Sequence, residues 1–234
     1  MDRHQKHIEM IKDNQLFQDL DRQALQDILQ YAQARTAEEG AFFFLEGNPA
    51  THLHILLEGS VKLTQVTPDG QQVILEVANP RQEFAVLALL EEIDYPVSAQ
   101  AVKDSKALAW DKESLDVLMK KYPQIAINAL YTVVHHTREF QRQVRDLSTK
   151  RVARRIARTL TRLASQTGKK TEEGVLIDMP LTRQDIAEMT GTTLYTVSRV
   201  LKKWEEKGLI KSKRAEITIT YPHGLVVIAE DFPP

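Results

Sequence analysis

Apolar residues recur at helical spacing over residues 8–34, through Leu16, Phe17, Leu20, Leu25, Ile28 and Leu29, which predicts an N-terminal helical segment. From about Ala37 to Trp110 the pattern changes. The short apolar runs Ala41–Leu45, Leu53–Leu57, Val61–Val66, Val73–Val77 and Val97–Val102 alternate with turn signals at Glu39-Gly40, Glu46-Gly47-Asn48-Pro49, Glu58-Gly59, Pro68-Asp69-Gly70 and Asn79-Pro80. Strands at such regular intervals predict an antiparallel sandwich or barrel. Pro68 presets φ and Gly70 accepts a positive φ, so the Pro68-Asp69-Gly70 stretch reads as a hairpin turn.

Beyond Trp110 the helical period returns. Ala126, Leu130, Val133, Thr137, Phe140, Val144 and Leu147 fall at alternating steps of four and three, the seam of a coiled-coil partner helix. The polar residues around it, His135, His136, Arg138, Glu139, Gln141, Arg142 and Gln143, favour a narrow two-helix contact over packing on the chain's own sheet. A basic helix over Arg151–Ala164 follows, broken at Gly168-Lys169-Lys170, and Val175–Met179 reads as a short strand. The expected domains are residues 1–118, a sheet-bearing sensor with its N-terminal helix; 119–150, a dimerisation helix and hinge; and 151–234.

The stretch from Leu181 to Trp204 carries the most specific pattern. Thr182 is placed to cap a helix, with Asp185 three residues on in a box-like arrangement. Ile186, Ala187 and Met189 form an inner face, and Gly191 ends the helix where a positive φ is needed. Thr192 or Thr193 caps a second helix whose buried face is Val197, Val200, Leu201 and Trp204, closed by Gly208. Two short helices about a glycine turn make a helix-turn-helix. Leu209–Lys211, the Ser212-Lys213-Arg214 turn and the alternating Glu216–Tyr221 then read as a two-stranded wing. DNA contact is expected from Thr182, Arg183, Gln184, Thr193, Tyr195, Thr196, Ser198, Arg199, Lys202 and Lys213.

Charge supports that division. From Lys150 onward there are 16 Lys/Arg against 10 Asp/Glu, a balance of +6, whereas the rest of the chain balances at −7. A basic part joined to an acidic part is the footprint of a nucleic-acid-binding domain attached to something else. The chain has no cysteine, which removes iron–sulfur clusters, thiolate zinc sites and thiol catalysis. No apolar run approaches the ~20 residues of a membrane span. The opening Met1-Asp2-Arg3-His4-Gln5 lacks the apolar stretch of a signal peptide. A cytoplasmic location without a membrane partner is expected.

These residues resemble the family of the cyclic-AMP receptor and the fumarate–nitrate-reduction regulator, over nearly the whole length. Thr182-Arg183-Gln184-Asp185-Ile186-Ala187 resembles the family's entry to the first motif helix, Thr196-Val197-Ser198-Arg199 its recognition helix, and the glycines at 40, 47, 59 and 70 its β-roll turns. The resemblance implies an α+β fold: an N-terminal antiparallel β-roll like a cyclic-nucleotide-binding domain, a long dimerisation helix and a C-terminal winged helix-turn-helix. It also implies a homodimer joined through Leu130, Val133, Thr137, Phe140, Val144 and Leu147, a two-fold symmetric double-stranded operator, and transcription activation through RNA polymerase. An effector in the β-roll would bias the packing of the two 124–148 helices and so the spacing of the recognition helices, about 34 Å when productive.

Departures from the family pattern bear on the effector. Members that bind cyclic AMP carry Phe-Gly-Glu and Arg-Ser/Thr-Ala, where this chain has Phe84-Ala85-Val86 and Val97-Ser98-Ala99. A cyclic phosphate would lose its charge-assisted partner, at a cost of ~2–5 kcal/mol. Cyclic AMP is not expected as a ligand, and Phe84, Ala85, Val86, Val97 and Ser98 become the candidate effector pocket. Ile74–Asn79, Phe84-Ala85 and Ala99–Val102 are similar to the dissimilatory nitrate respiration regulators, which implies haem as cofactor and nitric oxide as signal. His4, His7, His52, His54, His135, His136 and Met119 are the candidate axial ligands. In the recognition helix the family's glutamate is replaced by Tyr195, so the operator should depart from the family's at that base pair.

Two alternatives remain. His52-Leu53-His54 with Glu58 resembles the first motif of cupin metalloenzymes, and on a regular strand all three side chains share one face. The later histidine of that motif is missing, since none occurs between His54 and His135. The second alternative is a ligand-independent DNA-binding regulator.

Overall fold

In the computed structural model, which describes residues 3–86 and 93–230, the chain forms two compact units. One comprises Met1–Gln65 with Glu76–Phe140, the other Val66–Leu75 with Gln141–Pro234.

The first unit begins with two helices, α1 (Arg3–Lys12) and α2 (Arg22–Gln30), in place of the single segment expected over 8–34. Local polar groups make the break. Asn14 Oδ1 accepts from Leu16 N at 2.9 Å and fixes a single 3₁₀ turn, Gln15–Phe17. Asp19 takes a positive φ of 62°, and Asp21 caps α2 by accepting from Ala24 N at 2.8 Å.

The six strands are β1 (Gln33–Ala37), β2 (Phe42–Phe44), β3 (His52–Val66), β4 (Gln72–Ala78), β5 (Glu83–Phe84) and β6 (Ser98–Asp111). Their order is β1-β6-β3-β4, with β2 also on β6 and β5 on β3. The runs at 53–57 and 61–66 belong to one strand. Gly59, at φ 103°, sits so close to β6 that a Cβ would lie 2.1 Å from Ser105 Oγ, and the register shifts on either side of it. β3 therefore bends at a bulge and continues.

Two apolar clusters hold this unit. In the first, Ile11, Phe17, Leu25 and Ile28 close over Trp110 and Leu118. Phe17 meets Trp110 edge-on at 5.4 Å, and Trp110 Nε1 donates to Ile28 O at 2.8 Å. The second gathers Phe44, Leu56, Val61, Phe84, Tyr95 and Ala99 within the sheet. Helix α3 (Lys112–Lys121), capped by Asp111, leads into the 26-residue α4 (Gln124–Thr149). Asn128 of α4 donates to Leu16 O and Gln18 O at 3.1 and 2.8 Å, tying the long helix to the 3₁₀ turn.

The second unit contains α5 (Val152–Thr167), β7 (Gly168–Thr171), β8 (Gly174–Ile177), α6 (Arg183–Thr190), α7 (Leu194–Glu206), β9 (Ile210–Lys213), β10 (Glu216–Ile219) and α8 (Pro222–Glu230). Gly168-Lys169-Lys170 is not a simple helix breaker. It opens β7, and the expected two-stranded wing is one side of a four-stranded sheet ordered β7-β8-β10-β9. The last helix was not expected: α8 starts on Pro222 and buries Leu225 and Ala229. Among the described residues no helix is long and apolar enough to cross a membrane.

Candidate nucleic-acid interface and internal cavity

Backbone capping builds the helix pair. Thr182 Oγ1 accepts from Asp185 N at 3.0 Å while Asp185 Oδ2 accepts from Thr182 N at 2.8 Å, a complete capping box. Gly191 ends α6 in the left-handed region, at φ 56° and ψ 50°. Thr193, not Thr192, then caps α7 by accepting from Thr196 N at 3.2 Å. Val197, Leu201 and Trp204 are buried, so α7 is fixed by its inner face and turns the other outward.

On the outer face Thr193, Tyr195, Arg199 and Lys202 are exposed, while Thr196 and Ser198 are half-buried. Tyr195 is 74% exposed, and the Arg199 guanidinium lies 6.0 Å from its ring centroid. That pairing, one turn apart, holds the arginine over an aromatic face. Thr182, Arg183 and Gln184 are exposed at the head of α6, where Arg183 donates to Ser212 Oγ at 3.5 Å and Gln184 to Glu188 at 2.9 Å. Lys213 ends β9 and faces Glu216 at 3.8 Å. Ser212 N donates to Glu205 Oε1 at 3.1 Å, which anchors the wing to α7. All ten residues expected to contact DNA thus belong to one unit.

Sequence reasoning overlooked Arg155. Its guanidinium donates to Lys150 O, Thr190 O and Gly191 O at 3.0, 2.9 and 3.2 Å, the last two being carbonyls that the end of α6 leaves open. Arg158 likewise reaches both oxygens of Asp146, at 2.8 and 2.7 Å, and Glu230 at 3.2 Å.

In the first unit Phe84, Ala85, Val86 and Val97 line a cavity of about 110 Å³, joined by Thr132, Val133 and His136 of α4. Ser98 is not part of it. Its Oγ accepts from Glu46 N at 2.9 Å instead. Ala85 holds a φ of 73°, a conformation that costs a residue with a Cβ on the order of 1 kcal/mol. On α4, Val133 is half-buried in the cavity wall, while Leu130, Val134, Thr137, Phe140, Val144 and Leu147 are exposed.

Haem is overturned as a cofactor. Among the described residues no group of three or more His, Cys, Asp or Glu side chains is placed to hold a metal ion. Nor do the candidate axial ligands converge. Met119 packs against the first apolar cluster, His135 is exposed, and His54 is buried with its ring stacked on Phe84 at 4.9 Å. The side chain of His4 lies outside those described. Only His136 lines the cavity, whose volume is far below the ~300–1,000 Å³ of sites for drug-sized ligands.

The cupin-like triad fails on the same finding and on the bulge. Past Leu56 the register shifts, and Glu58 turns to ion pairs with Lys6 and Lys106 at 3.2 and 2.9 Å. Burial pushes the His54 imidazolium pKa down to about 3, with His52 and Arg35 adding to the effect. Burial also lowers the pKa of His52.

Comparison with known proteins agrees with this geometry. Residues 154–228 match the Crp-like helix-turn-helix domain, and residues 34–122 match the cyclic nucleotide-binding domain. The chain is 24% identical over 205 residues to a CRP-like cAMP-activated global transcriptional regulator of Mycobacterium tuberculosis, covering 88% of this chain and 92% of that one. It is 28% identical over 189 residues to a global nitrogen regulator of Nostoc sp., covering 80% and 85%. Among solved structures, FixK2 from Bradyrhizobium japonicum superposes with a TM-score of 0.75 at 21% identity, covering 84% of this chain and 96% of that one. These matches support the architecture and select no effector.

Proposed function

Because the chain belongs to the Crp/Fnr family of transcriptional regulators, which bind DNA through the helix-turn-helix and are not catalysts, we propose that it reads a two-fold symmetric operator as a homodimer, under control of a small effector other than a cyclic nucleotide. The observation that carries this reading is the outer face of α7. Tyr195, Arg199 and Lys202 are exposed there on a helix whose opposite face is locked by Val197, Leu201 and Trp204. Arg199 can address a guanine through O6 and N7, while Tyr195 offers no carboxylate to accept from cytosine N4. Lys202 and Lys213 supply charge for phosphates, and Thr182, Arg183, Gln184, Thr193, Thr196 and Ser198 flank them.

The homodimer is supported by the apolar residues that α4 leaves exposed, among them Leu130, Phe140 and Leu147. The resemblance to nitrate respiration regulators is not carried into the effector, because the haem on which it depended has no supporting site. An effector other than a cyclic nucleotide is supported by the cavity described above, where the family's Arg and Glu positions are Val97 and Val86.

Selection of bound duplexes from a random-sequence pool tests the reading. The expected product is an inverted repeat with half-site centres ~34 Å, one DNA turn, apart. Replacing Arg199 with alanine should cost ~1–3 kcal/mol and relax one base pair per half-site, whereas Lys202→Ala should weaken all sequences alike and flatten the salt dependence by about one unit of slope. Equal loss on every sequence for Arg199→Ala would make Arg199 a phosphate contact.

A further inference from the structure

Thr132 projects from α4 into the wall of the 110 Å³ cavity and is 1% exposed, yet its Oγ1 has no hydrogen-bond partner among the described residues. A threonine in a helix usually returns its hydroxyl to the carbonyl four residues back, as Thr137 does to Val133 O at 2.8 Å. A buried hydroxyl left open costs free energy that a bound molecule can recover. Most of the wall around it is apolar, with Phe44, Phe84 and Val97 facing the same space. Tyr95 adds its ring, but its hydroxyl is already engaged, accepting from Thr51 N and His52 N and donating to His52 O.

We propose that this cavity takes a compact, neutral, largely apolar molecule carrying one hydroxyl or carbonyl group, and that Thr132 Oγ1 is the hydrogen-bonding partner of that group. The inference rests on the effector-controlled reading above and names the effector's chemical class. Size sets the first limit. A dry cavity of ~150 Å³ accommodates the six non-hydrogen atoms of benzene, so 110 Å³ corresponds to roughly four or five non-hydrogen atoms. Charge sets the second. Among the described lining residues there is no lysine or arginine, and Glu76 is present, so an anion would enter beside a carboxylate with only the His136 imidazole to meet it. Thr132 shares its helix with the exposed residues Leu130, Tyr131 and Val134, so a ligand held at Thr132 bears directly on the element that carries the dimer seam.

The test compares three probes on the full-length protein by thermal unfolding and calorimetry: butan-2-one, its apolar isostere 2-methylbut-1-ene, and cyclic AMP. Butan-2-one is expected to raise the unfolding temperature in a saturable way and to bind about three- to ten-fold tighter than the alkene, the worth of one neutral hydrogen bond. Thr132→Val, matched in shape but lacking the hydroxyl, should bring butan-2-one down to the affinity of the alkene, and Thr132→Ser should restore the difference. Three results would overturn the proposal: no saturable binding of butan-2-one, equal preference for butan-2-one in wild type and Thr132→Val, or a saturable response to cyclic AMP. Operator binding by the same preparations, measured both with and without probe, is scored separately, and only loss under both conditions counts. Its loss would refute the DNA-reading assignment and leave the cavity assignment standing.

Discussion

His54 shows how one position can be recognised from sequence and still be misread. Strand alternation puts it on one face with His52 and Glu58, as a metal-ligand set would need, and the structure buries it. Strand spacing could not reveal its partner. Residue 54 pairs across to Phe84 of β5, and the imidazole stacks on that ring with an interplanar angle of 11°. Its Nδ1 has no hydrogen-bond partner among the described residues, and its pKa is depressed to about 3 from an ordinary 6.5. Between those values the unfolded chain binds a proton that the folded chain refuses, so stability is full above pH 6.5 and falls as the pH drops toward 3. At pH 4.5 the loss from this group is roughly 2–3 kcal/mol. His54→Phe keeps the aromatic stack and removes the titration. Urea unfolding at pH 7.5 and pH 4.5 should therefore show a smaller acid loss for the variant by about that amount. Equal losses would mean that the folded state accepts the proton at position 54.

At the scale of elements, what could be read was what depends on neighbours in sequence. Thr182, Asp185, Gly191 and Thr193 act within four residues of themselves, so the two motif helices could be located before any fold was known. Elements fixed by distant partners escaped. β1 has only Ala37 buried and no clear alternation, and it exists because it pairs with β6 some seventy residues later. The arginines of α5 count in sequence toward the positive balance from Lys150 onward, yet Arg155 and Arg158 are engaged within the unit, holding carbonyls and the carboxylates of Asp146 and Glu230. Arg155→Ala removes three charge-assisted hydrogen bonds from a half-buried site and should lower the stability of the second unit by ~2–3 kcal/mol. Arg155→Lys should recover only part, because an ammonium cannot fork to three carbonyls. Chemical denaturation of the two variants checks this, and full recovery by lysine would reduce the role of Arg155 to its charge.

For the whole molecule, the exposed face of α4 and the uneven charge belong to one argument. Leu130 is 67% exposed, Phe140 60% and Leu147 51%, a row of large apolar side chains that an isolated chain would leave in water. The excess of positive charge lies in the part of the chain that reads DNA, so pairing two copies doubles the phosphate contacts as well as the base contacts. Once one half-site is bound, the second recognition helix meets its half-site as an intramolecular event, and avidity can exceed a single contact by ~10²–10⁴-fold. The double variant Leu130→Glu, Phe140→Glu should therefore sediment as a monomer with its circular dichroism intact. It should bind the full operator no tighter than an isolated half-site, a loss of ~10²–10⁴-fold against the wild type. A dimer that survives both charges would remove α4 as the seam. A monomer that keeps full operator affinity would instead show that one winged helix-turn-helix suffices, and coupling through the long helix would then have no part in recognition.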